Sequence, residues 1–446
     1  MLRYLRFFVP LLTLLALCTI VSGCGTSTSA SGLTLHIWYS TDDPVERAWS
    51  QQLAHRFESA HPNVQVRLSD YSFEDLNTKL QLALTAGNAP DLAYVTPRGP
   101  GIPTYLAAHR LLDLTADARR GGWSQRLHSG LLAQYNQPFW YMGVPRGHIV
   151  AVPTSLAAAG IMVNTRLLHR LHLSVPVSLQ SFEADLARAK ATGLTPIGMG
   201  NADGWLGDDW YLTLVNALVP PSSLEPEQRL DPRFSFQRPA FVRAGTILQR
   251  WANAGYFTHD FGGLDAQEGV DQFFHGTTLF QLISSSENSQ IVTDQQTTHV
   301  PIGVFAFPRV HGGRVMPATG YEGWVIPAAG RHPQAAAQFI DQLLSPGTAT
   351  FLAQQGQVPS QRGLPSPLST SGAGRFVQTY IRSLASAKPG VYLDAAPVSN
   401  LNATMEANVQ LLLQGYESPS FLVRSLQEVY GSHGHSRSAA RIDGEF

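Results

Sequence analysis

Between Leu33 and Val95 the apolar pattern switches period four times, and that succession restricts the fold more than any other feature of the chain. Leu33-Thr34-Leu35-His36-Ile37-Trp38-Tyr39 alternates with the two-residue repeat of a half-buried strand. Ser40 to Pro44 reads as a polar turn, and Pro44 suits the first turn of a helix over Val45 to Ser59. Trp49, Leu53 and Phe57 fall on one face of that helix. His61-Pro62-Asn63 ends it, and Val64 to Leu68 alternates again. A second helix is predicted over Phe73 to Ala86, stopped by Gly87-Asn88, and Ala89 to Val95 reads as a third strand. Strands separated by helices pair in parallel through right-handed crossovers, so the chain opens as an α/β unit.

The same alternation returns further on. Strands are predicted at Gly160 to Asn164, Thr195 to Gly200, Leu279 to Ser284, Ile302 to Phe307 and Trp324 to Pro327. Helices are predicted at Ser181 to Ala191, Ala240 to Ala254, Pro333 to Leu344 and Thr348 to Gln355. Pro359 to Gly374 reads as loop, and no internal repeat is evident. A length of 446 residues exceeds what one core serves, which favours two or three domains. Charged residues make up only 14% of the chain, the net charge is −1, and no run of either sign exists. Nucleic-acid binders need a basic face, so that class is excluded.

The amino terminus points to export. Arg3 and Arg6 precede an apolar stretch from Phe7 to Ile20, followed by the small residues Ser22 and Gly23. That stretch is shorter than the ~20 residues a spanning helix requires. Val21-Ser22-Gly23-Cys24 resembles the bacterial lipobox, which implies removal of residues 1–23 as a lipoprotein signal peptide and lipidation of Cys24. The only other cysteine, Cys18, lies within that signal, so no intramolecular disulfide is expected. Residues 24–32 are Gly-, Ser- and Thr-rich and read as a flexible tether. The expected location is the cell membrane, with the protein lipid-anchored on the extracytoplasmic face.

Several blocks resemble the family 1 extracellular solute-binding proteins, which include maltose-binding and related sugar receptors. They are Leu35-His36-Ile37-Trp38-Tyr39, Phe57 with His61-Pro62-Asn63-Val64, and Gly87-Asn88-Ala89-Pro90-Asp91-Leu92. Val152-Pro153-Thr154-Ser155 leading to Met162-Val163-Asn164-Thr165 is a further block, and Phe273-Phe274-His275-Gly276 another. Gly320-Tyr321-Glu322-Gly323-Trp324 and Gln357-Val358-Pro359-Ser360 complete the set, in family order. The resemblance covers residues 33–430. It implies an α/β, two-lobed periplasmic-binding-protein fold with a mixed sheet in each lobe, three inter-lobe crossings and the ligand in the cleft. Residues 33–153 with 322–356 would form lobe 1, 154–321 with 357–430 lobe 2, and 431–446 a disordered tail. The implied role is solute capture, most directly of a sugar or oligosaccharide, by a monomer that serves the permease subunits of an ABC importer. No cofactor or metal is expected.

A sugar presents apolar ring faces and a rim of hydroxyls, so its site combines aromatic platforms with side chains that both donate and accept. Loops following strands are the natural positions. The candidates are Tyr39, Thr41, Asp42 and Asp43 after the first strand, and Arg98 after the third. Thr154 and Ser155 lie at the first crossing, and Trp205, Asp209 and Trp210 follow a glycine-rich turn. Ser286 and Glu287 follow the strand at Leu279, and Tyr321, Glu322 and Trp324 lie at the second crossing. Each has a plainer reading: Trp324 as core, Asp42 or Asp43 as a helix cap, Arg98 as a surface charge. Asp42, Asp209, Glu287 and Glu322 could also supply a glycosidase carboxylate pair, which keeps a secreted carbohydrate-active enzyme open. No P-loop, zinc-binding helix or nucleophile elbow appears. Other receptor ligands also stay open, glycerol-3-phosphate and polyamines among them, as does service to a sensor kinase.

Overall fold

The computed structural model describes residues 32–442 apart from 42–43, 73–74, 96–100, 129–131, 133–134, 137–138, 140–143, 156–157, 229–230, 232, 285–287, 317–322, 364–371, 387, 392, 394–397 and 399. Two four-stranded mixed sheets organise it. In the first, β1 (Leu33–Ser40), β2 (Val64–Tyr71) and β3 (Leu92–Val95) are parallel, with β1 in the middle. β10 (Gly323–Val325) joins from far along the chain, antiparallel to β3. The crossover helices are α1 (Pro44–Ala60) and α2 (Leu76–Ala86). Gly87 ends α2 at φ 75°, a left-handed turn that glycine adopts without steric cost, and its amide closes on the Ala83 carbonyl.

Alternation along β1 assigns its faces. Leu35, Ile37 and Tyr39 pack with Leu53 and Phe57 of α1 and with Phe339 and Ile340 of a later helix, Pro333–Leu343. The Phe57 and Phe339 rings meet edge-on at 5.1 Å. Ala93 and Val95 of β3 belong instead to the cluster containing Leu80 and Leu84 of α2. Each such leucine or phenylalanine taken out of water contributes about 1.5–3 kcal/mol. Asp91, in the Ala89-Pro90-Asp91 turn, is 2% exposed. Its carboxylate accepts backbone bonds from His36 (2.9 Å), Arg331 (2.7 Å) and His332 (2.8 Å). One side chain thereby joins β1, the start of β3 and the approach to the Pro333 helix.

The second sheet has the order β5-β6-β4-β7, with β4 (Ala159–Asn164), β5 (Thr195–Gly198), β6 (Thr278–Ser284) and β7 (Ile302–Phe305). β4 is antiparallel to both neighbours, and β5 is parallel to β6. All six residues of β4 are buried, because helices cover both faces. Ile161 and Val163 share a cluster with Phe182 and Leu186 of α3 (Leu179–Ala191) and with α4 (Trp205–Leu218). Met162 points the other way, to Val270, Phe273, Ile291, Phe376 and Tyr380. Helices Pro239–Asn253 and Leu401–Leu413 pack against α4, and Pro419–Ile442 packs on those two. The last of these stays helical across most of the segment expected to be a disordered tail. From Ser436 to Ile442 it meets neither proline nor glycine to stop it. A small third sheet joins β8 (Phe307–Pro308), β9 (Arg314–Met316) and β11 (Lys388–Pro389).

Between the two sheets the chain runs through paired strands. Val152 forms an antiparallel bridge with Trp324, and Ser155 with Pro359. Ser360 donates its amide to the Thr154 carbonyl (3.2 Å) and its hydroxyl to the Pro153 carbonyl (2.8 Å). Residues 360–362 continue beside 126–128, with His128 bonded to the Ser360 carbonyl and Arg362 to that of Arg126.

Candidate ligand-binding cleft

Strand direction locates the cleft. Val152 lies antiparallel to β10, which is antiparallel to β3, so the chain at Val152 runs with β1 and β3. It leaves the first sheet at the edge where β1, β2 and β3 end, and it enters the second where β4 begins. The register marks both edges. Ser40 pairs with Tyr71 and Gly323 with Val95 on the first; Ala159 pairs with Ser284 and Ile161 with Phe305 on the second. In the first sheet the strand order reverses at β1, the topological switch point where open α/β sheets bind ligands. A cavity of about 600 Å³ elsewhere, lined by Gln295, His299, Ile302, Arg375 and Phe376, is not this cleft. Ile302 pairs with Asn164, at the opposite end of β4 from Ala159.

The predicted residues divide into four groups. Thr41, Thr154, Ser155 and Trp324 are brought to the first edge and its crossing. Thr41 directly follows Ser40 and is buried. Trp324 is 9% exposed; its indole N–H donates to Thr154 Oγ1 (3.1 Å), and its ring meets Tyr94 edge-on at 5.4 Å. This tryptophan packs in the core cluster that holds Leu35, Ile37 and Tyr39 of β1, at the point where the chain crosses between the sheets. Trp205 and Asp209 lie in the first turns of α4, which follows the end of β5. Trp205 is half-buried and Asp209 is 8% exposed. The helix macrodipole favours a carboxylate there. Asp42, Asp43, Arg98, Ser286, Glu287, Tyr321, Glu322 and the lipidation candidate Cys24 lie outside the described residues.

Two expectations are corrected. Trp210 is wholly buried, 5.7 Å from Trp251 and 6.1 Å from both Phe182 and Phe307. The stretch read as polar and glycine-rich is the start of a helix enclosed on every side, so Trp210 packs the interior of the second lobe. Tyr39, 6% exposed, sits on the face of β1 that packs beneath α1, with Leu53 and Phe57. Odd residues of β1 all take that face, which removes Tyr39 from the ligand's side.

Residues that the sequence did not single out also shape the site. Tyr94 is the register partner of Trp324, and Tyr71 ends β2 with its ring 4.9 Å from that of Trp38. Asn201 Oδ1 accepts from the Gly207 amide at 2.7 Å. It supplies the first turn of α4 with the cap that Gly204, at φ 86°, lacks a side chain to provide. Nothing in the linear sequence marks these three, because each acts through a partner far along the chain or in another element. Among the described residues no group of three or more His, Cys, Asp or Glu is placed to hold a metal ion, and no helix is long and apolar enough to cross a membrane.

Two α/β sheets facing each other across paired crossing strands define a two-lobed receptor for a solute. The family model for bacterial extracellular solute-binding proteins matches residues 41–350. The chain belongs to that family. Its role is therefore binding for transport, and the carbohydrate-active enzyme weighed from the sequence is set aside. A curated relative, a probable sugar-binding periplasmic protein of Mesorhizobium japonicum, is 22% identical over 293 residues, 65% of this chain and 66% of that protein. Among solved structures, a chitin oligosaccharide binding protein matches with a TM-score of 0.78 at 22% identity, covering 90% of this chain and 99% of that one. A structure from work on xylan utilisation by Caldanaerobius polysaccharolyticus matches with a TM-score of 0.77 at 20% identity, covering 89% and 99%. At these identities the structural likeness concerns the fold.

Proposed function

We propose that this protein is the saccharide-capturing component of an ABC importer, lipid-anchored through Cys24 on the extracytoplasmic face of the membrane. Residues 33–153 with 322–356 would form one lobe and 154–321 with 357–430 the other. The observation that carries the reading is the group at the crossing. Tyr94 and Trp324 supply aromatic surface beside the Thr154 hydroxyl, and Trp205 opens the helix that follows the end of β5 in the second sheet. Aromatic faces beside hydroxyl and carboxylate groups suit a ligand with apolar faces and a polar rim. The names of the relatives, which concern sugars, chitin oligosaccharides and xylan, support the same class. Thr41, Asp42, Asp43, Arg98, Ser155, Asp209, Ser286, Glu287, Tyr321 and Glu322 complete the proposed ligand shell. Binding would draw the lobes together, and the closed form would be the one the permease subunits engage.

Thermal unfolding of the purified protein against chitin- and xylan-derived oligosaccharides, raffinose and monosaccharides tests this, with phosphate esters and polyamines as controls. A ligand at a hundred times its Kd adds about 2.7 kcal/mol to stability. A midpoint rise with one saccharide class supports the reading. A rise with a polyamine or phosphate ester alone would keep the receptor and discard the sugar.

A further inference from the structure

The turn between β5 and α4 is held by two separate segments of the chain. Its amides go to one of them: Asn201 donates to the Phe261 carbonyl at 2.7 Å, and Ala202 to that of Leu264 at 2.8 Å. The Asp203 carboxylate accepts the Ala266 amide from the same segment at 3.3 Å. Its carbonyls go to the other. Gln410, on helix Leu401–Leu413, donates its side-chain NH2 to the Asn201 carbonyl at 2.8 Å and to the Ala202 carbonyl at 3.0 Å. A primary amide carries two hydrogens on one nitrogen, one for each of these consecutive carbonyls. The turn closes as Gly204 donates to the same Asn201 carbonyl at 3.2 Å, and Asn201 Oδ1 accepts from Gly207 at 2.7 Å. Glycine suits position 204 on two counts: φ is 86°, and a Cβ there would crowd Gln410 Nε2 at 3.3 Å.

We infer that Gln410 is a positioning residue for Trp205, the proposed ligand contact that opens α4. The inference rests on the saccharide reading above and adds to it the group that sets the angle of this tryptophan. From Leu206 to Leu218 α4 is buried, so core packing fixes the body of the helix. Trp205 is only half-buried and directly follows Gly204, so its backbone takes its direction from the turn that Gln410 grips. Without the glutamine donor, the amides of Asn201 and Ala202 keep their partners while their carbonyls lose the clamp. The turn can then tilt about its amide side, which moves Trp205 relative to the buried helix. Glutamine suits the task because it donates without bringing a charge, whereas a carboxylate of the same shape offers those carbonyls no hydrogen. The contact spans 209 residues of chain, so a segment near the carboxyl end sets the geometry of a turn in the middle of the sequence.

Gln410→Met removes the donor at nearly constant length, and Gln410→Glu keeps the shape while presenting only acceptors. Amide hydrogen exchange of the peptide covering residues 199–209 reads the clamp without ligand. Titration with the saccharide that stabilises wild type in the panel above reads its effect on binding. Gln410→Met should raise exchange and Kd each about fivefold, with an unliganded midpoint within a few degrees of wild type. Gln410→Glu should act in the same direction and more strongly, and it serves alone should Gln410→Met fold poorly. In a Trp205→Ala background both changes should lose most of their effect on Kd, because the residue they displace is gone. Unchanged exchange in both variants would overturn the clamp. Raised exchange with an unchanged Kd, or an undiminished effect on Kd in the Trp205→Ala background, would overturn its role in positioning Trp205. Failure of wild type to bind any saccharide would instead sink the functional reading, an outcome the exchange experiment does not share.

Discussion

Asp91 offers the sharpest test of how the first lobe is held together. Its carboxylate is 2% exposed and receives three backbone amides, two of them on Oδ1 just ahead of the Pro333 helix and one on Oδ2 from β1. A hydrogen bond to a charged group contributes about 1.5–3 kcal/mol net. The three share one carboxylate and are not independent, and His36 and Arg331 are exposed residues whose amides water can partly serve. Asp91→Ala should therefore cost about 3 kcal/mol rather than the full sum. Asp91→Asn should cost about half as much, since its oxygen can still serve Arg331 and His332 while its NH2 faces the His36 amide. For a lobe-sized cooperative unit, 3 kcal/mol corresponds to a fall of roughly 6–12 °C in Tm. Urea unfolding of both variants measures the cost, and saccharide titration provides the control. Asp91 precedes β3, so it sits at the sheet edge away from the cleft, and affinity should be unchanged. A loss below about 1 kcal/mol in Asp91→Ala, or a weakened affinity at full folding, would refute the reasoning.

The two tryptophans of α4 should separate stability from binding. Trp210→Ala empties an enclosed aromatic cluster and should cost about 3–5 kcal/mol in urea unfolding. Trp205→Ala should cost about 1 kcal/mol or less while raising the saccharide Kd at least about tenfold; equal effects of the two changes on stability would contradict their assignments. Burial pushes the Asp185 carboxyl up to about 6, opposed by Arg188. The folded state then holds this proton more tightly than the unfolded state, so its contribution is full below the ordinary value near 3.8 and is lost as pH rises through 6. Asp185→Asn should match wild type near the acid end of that window and exceed it in Tm at pH 7, and parallel Tm profiles between pH 4 and 7 would argue against it.

Much of the fold was legible because local periodicity and punctuation agree. Thr34 and His36 alternate with Leu35 and Ile37 because the sheet buries one face beneath α1, and Gly87 stops α2 where only a left-handed residue turns the chain. The two-lobed arrangement came from resemblance, since no periodicity shows that Val152 will lie beside Trp324, more than 150 residues away. The misreading of Trp210 has a definite cause. Glycines at 198, 200, 204 and 207 suggest an exposed turn, yet three of them mark close approaches. A Cβ on Gly200 would sit 1.7 Å from the Asp265 carbonyl oxygen, one on Gly198 2.1 Å from Gln281, and one on Gly207 2.8 Å from Asn201. Small residues that read as flexibility serve tight packing, and the helix they introduce is buried from Leu206 to Leu218, with helices Pro239–Asn253 and Leu401–Leu413 packed against it.

The candidate site was legible as a set of loops but not as a set of side chains, and the reason lies in how a cleft is built. Sequence shows where a strand ends, and a strand's end in an open α/β sheet is where a ligand can meet the chain. Which side chain faces the ligand depends on parity within the strand and on partners from other segments. Parity turns Tyr39 into the core while Thr41, past the end of the ladder, remains at the edge. Partnership decides Thr154 and Trp324: each appears as an independent candidate in the sequence, yet the hydroxyl of one accepts the indole N–H of the other. A ligand reaching Thr154 therefore meets a hydroxyl whose orientation Trp324 has already biased, leaving its proton to donate outward or to a neighbour. Since Thr154 also lies on the strand paired to Trp324 and Pro359, any movement of the lobes that strains those pairings alters the group presented to the ligand. Binding and closure would then be coupled through the same few residues at the crossing, and a change such as Thr154→Val should alter affinity and closure together.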